Sequence, residues 1–176
     1  MHMITEKLLV GNINDAKEPP VKIGALLLVA AEYTLEPPSW LLYGRIPFSE
    51  YAEAEPHLLD RAVSWVEQHL SDNRVMVCCR AGMGRSVSVV MAYLCCVQGM
   101  TYAEVLKLVM RRRPGAMPLP KLEEAITQVR LLREARGRTR RTSLHAQPAL
   151  FTRVLDETAE TPSETDARSR EEGRHT

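Results

Sequence analysis

The sequence lacks most of the features that announce a partner. Its 176 residues carry a net charge of +1, so no global excess calls for nucleic acid or an acidic membrane surface, and partners must be argued locally. No charged-then-apolar leader opens the chain, and its longest apolar runs fall well short of the ~18 residues that a membrane span requires. Cysteine is scarce and oddly placed: four residues form two adjacent pairs, Cys78-Cys79 and Cys95-Cys96. That pattern matches neither the spaced CxxC pairs of a zinc site nor a secreted disulfide framework. Free thiols in a reducing compartment fit better, and the expectation is a soluble cytoplasmic protein with no membrane span and no nucleic-acid partner. Internal repeats are absent as well. Oligomeric state is not legible in the chain.

What is present is enough apolar material for one domain. The 45% hydrophobic content supports a core of ordinary size. Lys7 to Val10, Ala25 to Ala30 and Leu41 to Pro47 read as short apolar strands, with Pro19-Pro20 and Pro37-Pro38 punctuating the connections. Leu58 to Leu70 places Leu58, Leu59, Ala62, Val63, Val66 and Leu70 at helical spacing, opposite Asp60, Arg61, Glu67 and Gln68. Val75 to Cys79 is apolar at every position, as a central parallel strand covered on both faces would be. A glycine-containing turn then leads into a helix over Ser86 to Gln98. Thr101 and Glu104 make a capping box for a helix to about Arg112, after which Pro114 and Pro118 break the periodicity. A last amphipathic helix spans roughly Pro120 to Arg136.

Strands alternating with helices imply an α/β fold, a central mostly parallel sheet of four to five strands flanked by helices. Function is then expected at loops beyond the carboxyl ends of the strands. From Gly137 onward apolar density falls and Arg, Thr, Ser, Glu and Pro dominate. Such a composition cannot bury enough surface to offset the entropy of ordering. The chain therefore divides into a domain over 1–136 and a polar, disordered tail over 137–176, in which only Pro148 to Glu157 has the apolar residues for a helical turn or two.

The chemistry concentrates where the central strand ends. Arg80-Ala81-Gly82-Met83-Gly84 separates Cys79 from Arg85, and this turn opens a helix. Backbone N–H groups of such a loop converge on one point, the positive end of the helix dipole adds to them, and Gly82 and Gly84 permit backbone angles other residues resist. The result is a cradle for a dianion. Arg85 supplies a planar fork that holds two oxygens of a tetrahedral oxyanion at once, which lysine does not. The same field favours thiolate over thiol at Cys79, and Ser86 can donate a hydrogen bond toward the sulfur.

Cys79-Arg80-Ala81-Gly82-Met83-Gly84-Arg85-Ser86 resembles the CxxGxxR[ST] loop of cysteine-dependent protein tyrosine phosphatases, and the dual-specificity branch above all. Leu8-Leu9-Val10-Gly11 is similar to that family's first strand, Ile46-Pro47 to the strand before its acid loop, and Arg112-Arg113-Pro114 with Pro118 to its later RRP segment. The resemblance covers about residues 4 to 135. It implies a phosphatase-like fold with a Cys-x5-Arg phosphate-binding loop made by residues 80 to 85, no cofactor and no metal, and a phosphorylated protein as substrate. Its chemistry would be hydrolysis of phosphotyrosine, with phosphoserine and phosphothreonine as further targets, through a phosphocysteine on Cys79. Arg85 and the loop amides would stabilise the equatorial charge, with Ser86 assisting release of the sulfur.

Two departures from the family pattern bear on this. Cys78 stands where the family has a histidine before the nucleophile. The family's general acid is an aspartate, whereas alignment on Ile46-Pro47 puts Glu50 there, with a carboxyl displaced by about 1 Å. Glu50 is the acid this register selects, and Glu53, Glu55 and Asp60 are its substitutes. Arg80 inside the loop leaves a phosphoinositide or other small phosphoester open as substrate, and the departures leave open a weakly active phosphate-binding pseudophosphatase. A cysteine protease would need His57 or His69 as base and would leave Arg85 idle. Arg111, Arg112 and Arg113 form either a solvated face or a lure for acidic substrate.

Overall fold

A computed structural model describes the backbone over residues 1–145 and the side chains over residues 1–137. The strands are β1 (His2–Met3), β2 (Leu8–Gly11), β3 (Ala25–Ala30), β4 (Leu42–Phe48) and β5 (Val75–Cys78). The helices are α1 (Ile13–Lys17), α2 (Pro56–Leu70), α3 (Arg85–Cys96), α4 (Tyr102–Arg112) and α5 (Leu122–His145). One sheet runs in the order β1-β2-β5-β3-β4. β2, β5, β3 and β4 are parallel, and the two-residue β1 adds an antiparallel edge to β2. The α/β fold with a mostly parallel, helix-flanked sheet is thus as the sequence implied.

The sheet places one strand end at its centre. β5 is paired on both sides, Val77 lying opposite Val10 on β2 and Leu27 on β3. Each of its four side chains is fully buried, which explains why the segment alternates nothing: in a covered parallel strand both faces are core. α2 and α3 pack against each other and on the sheet. α2 buries Leu59, Ala62, Val63 and Val66, and it begins two residues before its apolar stripe because Pro56 occupies the first turn, where a missing N–H costs nothing. α3 is buried along nearly its whole length, Arg85 through Cys95.

Three elements differ from the sequence reading. α1 escaped it, although Asn12 caps the helix by accepting from the Asn14 and Asp15 amides while the Asp15 carboxylate accepts from the Asn12 amide. β1 escaped it because two residues carry no periodicity. The final helix does not stop at Arg136: it passes through Gly137 to His145, since one helical glycine costs only about 1 kcal/mol and a long helix absorbs it. Arg133 pairs with Glu67 and Asp60, and Arg136 with Asp60, tying this helix to α2. The segment Pro148 to Glu157 and the rest of the polar tail from residue 146 lie outside the described residues. Among the described residues, no helix is long and apolar enough to cross a membrane.

Candidate active site

Everything converges on the turn between β5 and α3. Cys79 follows the last residue of β5 and is 2% exposed, with its amide donating to the Gly11 carbonyl at 3.3 Å. Its Sγ lies 3.2 Å from the Ser86 Oγ, a hydroxyl that is itself fully buried in the first turn of α3. Burial pushes the Cys79 thiol up, but the Ser86 hydroxyl and the amides of Ser86, Met83 and Gly82 together outweigh it, and the net direction is down. Hydrogen bonds to the charged form thus defeat desolvation. The neighbouring Cys78 goes the other way: burial first, then the charges of Asp15 and Cys79, raise it far above the ordinary thiol range. Cys78 fills the space above Gly11, where an added Cβ would meet its sulfur at 2.7 Å, and behaves as a core side chain. Cys95, pushed up to about 11 mainly by burial, is equally inert.

Only one of the loop's two glycines sits at positive φ. Gly82 has φ +66°, and a Cβ there would lie 2.8 Å from the Gly11 carbonyl oxygen, so both conformation and space require glycine. Gly84, in contrast, is the N-cap of α3 with φ −108°, so the expectation that it too adopts a glycine-only angle is corrected. No side chain caps this helix, and no acidic residue sits in its first turn. Its N-terminal amides and its positive dipole end therefore remain available to an anion.

Arg85 is 3% exposed and is oriented by a residue the sequence reading missed. Its Nη1 and Nη2 donate to the Glu32 carboxylate at 2.6 Å each, and Nη1 also reaches the Phe48 carbonyl at 3.1 Å. Glu32 is held below its ordinary range mainly by the Arg85 hydrogen bonds, and the same pair raises Arg85. Glu32 takes the edge formed by the two terminal nitrogens, and among the described residues no hydrogen bond is made by Nε. The edge formed by Nε and Nη2, which Glu50 Oε1 approaches at 3.8 Å, can therefore grip two oxygens of an oxyanion. Glu32 lies just beyond the carboxyl end of β3, the strand beside β5.

Glu50 is brought to the loop, as its register required. Its Oε1 is 2.8 Å from Arg80 Nη2 and 3.8 Å from Arg85 Nη2. Arg80 also donates to the Tyr51 hydroxyl at 3.3 Å. The substitutes go elsewhere: Glu53 pairs with Lys121, Asp60 with Arg133 and Arg136, and Glu55 is the N-cap residue of α2. His69 stacks on Trp65 and engages its carbonyl, and His57 is exposed on α2. Of the three consecutive arginines, Arg113 turns inward, donating to the carbonyls of Gly82, Ala81 and Pro114.

The comparisons agree with this geometry. Residues 12–133 match the family model described as "Dual specificity phosphatase, catalytic domain". The chain is 30% identical over 123 residues to Dual specificity protein phosphatase 1B of Arabidopsis thaliana, covering 66% of this chain and 74% of that protein. It is 30% identical over 135 residues to Dual specificity protein phosphatase 15 of Rattus norvegicus, covering 73% of this chain but 56% of that one. The crystal structure of human DUSP28 superposes with a TM-score of 0.64 at 19% identity, over 77% of this chain and 99% of that one. At that identity the likeness speaks for the fold alone.

Proposed function

The chain belongs to the dual specificity phosphatase family of cysteine-dependent protein phosphatases, and from that premise we propose how its own residues divide the reaction. Cys79 is the nucleophile. Its thiolate attacks phosphorus in line, the bond from phosphorus to the substrate oxygen breaks, and a phosphocysteine forms. Glu50, presented beside the loop by Arg80, gives its proton to the leaving oxygen. Water then attacks the phosphocysteine, Glu50 takes a proton from that water, and inorganic phosphate leaves while Ser86 stabilises the released thiolate. Arg85 and the loop amides hold the equatorial oxygens throughout.

The observation that carries this reading is the lowered Cys79 thiol set 3.2 Å from Ser86 at the floor of an uncapped helix start, with Arg85 held edge-on by Glu32. Phosphotyrosine in proteins is the primary substrate class, with phosphoserine and phosphothreonine secondary. A phosphoinositide is disfavoured because Arg80, the residue that prompted it, is paired with Glu50. Four free cysteines fit a cytoplasmic setting. The test is turnover of p-nitrophenyl phosphate, a phosphotyrosine peptide and a phosphoinositide by the wild type and Cys79→Ser. Peptide turnover above lipid turnover, abolished in the variant, is expected. Retained turnover in Cys79→Ser would refute the assignment of the nucleophile, and preference for the lipid would refute the substrate class.

A further inference from the structure

The carbonyl oxygens of the phosphate loop are all held from outside. That of Arg80 accepts from the Ile13 amide at 3.2 Å, that of Met83 from the Met117 amide at 2.8 Å, and that of Gly84 from the amide and hydroxyl of Ser88 at 2.8 and 3.0 Å. The two between them depend on one side chain. Arg113 Nε donates to the Gly82 carbonyl at 2.9 Å and Nη2 to the Ala81 carbonyl at 3.3 Å, while Nη1 closes on the Pro114 carbonyl at 2.8 Å. No carboxylate pairs with Arg113 among the described residues, so its donors go to backbone oxygens.

A planar trans peptide points its C=O and the next residue's N–H in opposite directions. Fixing the Ala81 carbonyl outward therefore fixes the Gly82 amide inward, and fixing the Gly82 carbonyl does the same for the Met83 amide. These are two of the amides that reach the Cys79 sulfur. From this geometry we propose that Arg113 is a positioning residue for phosphoryl transfer: it aims the Gly82 and Met83 amides at the anion by gripping their peptide planes from behind. The role rests on the reading of this loop as the phosphate site.

Its location follows from the sequence. α4 ends at Arg112 because Pro114 cannot continue it, and Arg113 occupies the C-cap with its amide bonded to the Val109 carbonyl at 2.7 Å. A helix end thus delivers the guanidinium to the rear of the loop. The peptide spanning Ala81 and Gly82 most needs such a hold, because Gly82 at φ +66° belongs to a residue type with many other conformations open to it. The guanidinium is planar and spans two carbonyls at once; an ammonium would serve one.

The decisive experiment compares wild type, Arg113→Ala, Arg113→Lys and the exposed neighbour Arg112→Ala, each checked for folding by thermal unfolding. In Arg113→Ala, kcat/KM for p-nitrophenyl phosphate should fall about 100-fold. Inhibition by inorganic phosphate should weaken, and iodoacetamide alkylation of Cys79 at neutral pH should slow, each about tenfold, as expected for weakened hydrogen bonds to a charged group. Arg113→Lys should recover only part of these losses, and Arg112→Ala should match wild type throughout. A folded Arg113→Ala with wild-type turnover overturns the proposal. So does one that loses turnover while phosphate inhibition and alkylation stay unchanged, since a merely structural residue would do that. If Arg113→Ala does not fold, Arg113→Lys is scored by the same three readings. Wild type turning over with Cys79→Ser dead, beside an unaffected Arg113 variant, would sink this role and spare the phosphatase reading. Turnover that is indifferent to Cys79→Ser would sink both.

Discussion

Two connections meet over the candidate nucleophile, and they are built in opposite ways. The one from β5 to α3, residues 79–84, has each carbonyl from Arg80 to Gly84 satisfied by an outside donor. The one from β4 to α2, residues 49–55, is anchored in backbone terms by the Ala54 amide on the Pro120 carbonyl at 3.0 Å and, at its end, by the Leu59 amide on the Glu55 carbonyl at 2.9 Å, and otherwise through side chains: Glu50 to Arg80, Tyr51 to Arg80, Glu53 to Lys121. Tyr51 is 80% exposed at φ +62°, a conformation that costs a non-glycine residue about 1–2 kcal/mol. The contrast fits the work proposed for each. Transition-state charge is stabilised by dipoles that need not reorganise, whereas a proton donor must reach oxygens on leaving groups of different shapes. The first segment is a mould and the second an arm.

The mould should be the less forgiving. Arg85→Lys keeps the charge but cannot keep Glu32 on one edge and two phosphate oxygens on the other. Its kcat/KM for p-nitrophenyl phosphate should fall roughly 1000-fold with the fold intact. A loss under tenfold would mean that the buried fork is not the clamp. Glu50→Gln tests the arm: kcat should fall about 100-fold for an alkyl or phenyl phosphate and only a few-fold for p-nitrophenyl phosphate, whose leaving oxygen needs little protonation. Equal losses for both would remove Glu50 from the acid role.

The two vicinal thiols give a comparison of the same kind, one residue apart. Cys79 lies below the ordinary thiol range and Cys78 well above it. Raising the pH through the Cys79 value increases its thiolate, and the acid limb of kcat/KM should rise over the same interval. Near neutral pH iodoacetamide should label Cys79 at least tenfold faster than Cys78, since the thiolate is the nucleophile. Comparable labelling would show that the amides and Ser86 do not offset burial.

The mould was largely legible in the chain because its signals are local. Five residues between Cys79 and Arg85, a glycine at Gly82 and an uncapped helix start all lie within one turn of sequence. What was not legible is what acts across distance. Glu32 reaches Arg85 over 53 positions, and its one signal is an acid just past the end of a strand, which needs the sheet order before it means anything. Arg113 reads as one of three consecutive arginines and as part of an RRP segment, and neither signal shows that its guanidinium turns to the back of the loop. Glu50 was legible through register with Ile46-Pro47, but its Arg80 partner was not, because Arg80 reads equally well as a second phosphate contact. Gly84 was over-read: two glycines in a turn looked alike, and only one has positive φ.

The smallest effect probes how loosely the arm is tied. Lys121 holds Glu53 at 2.7 Å, but both side chains are more than half exposed, so water screens the pair and it adds little to stability. Lys121 also sits at φ +55°, which asparagine accepts more readily than lysine. In Lys121→Asn the lost pair and the relieved backbone should nearly cancel, leaving the thermal unfolding midpoint close to that of wild type. Turnover of both phenyl and p-nitrophenyl phosphate should be unchanged, because this pair neither touches Glu50 nor reaches the phosphate loop. A selective loss with the poor leaving group would mean that Glu53 and Lys121 set the height at which Glu50 meets the leaving oxygen. The second segment would then share the rigidity of the first, and the distinction between mould and arm would fail.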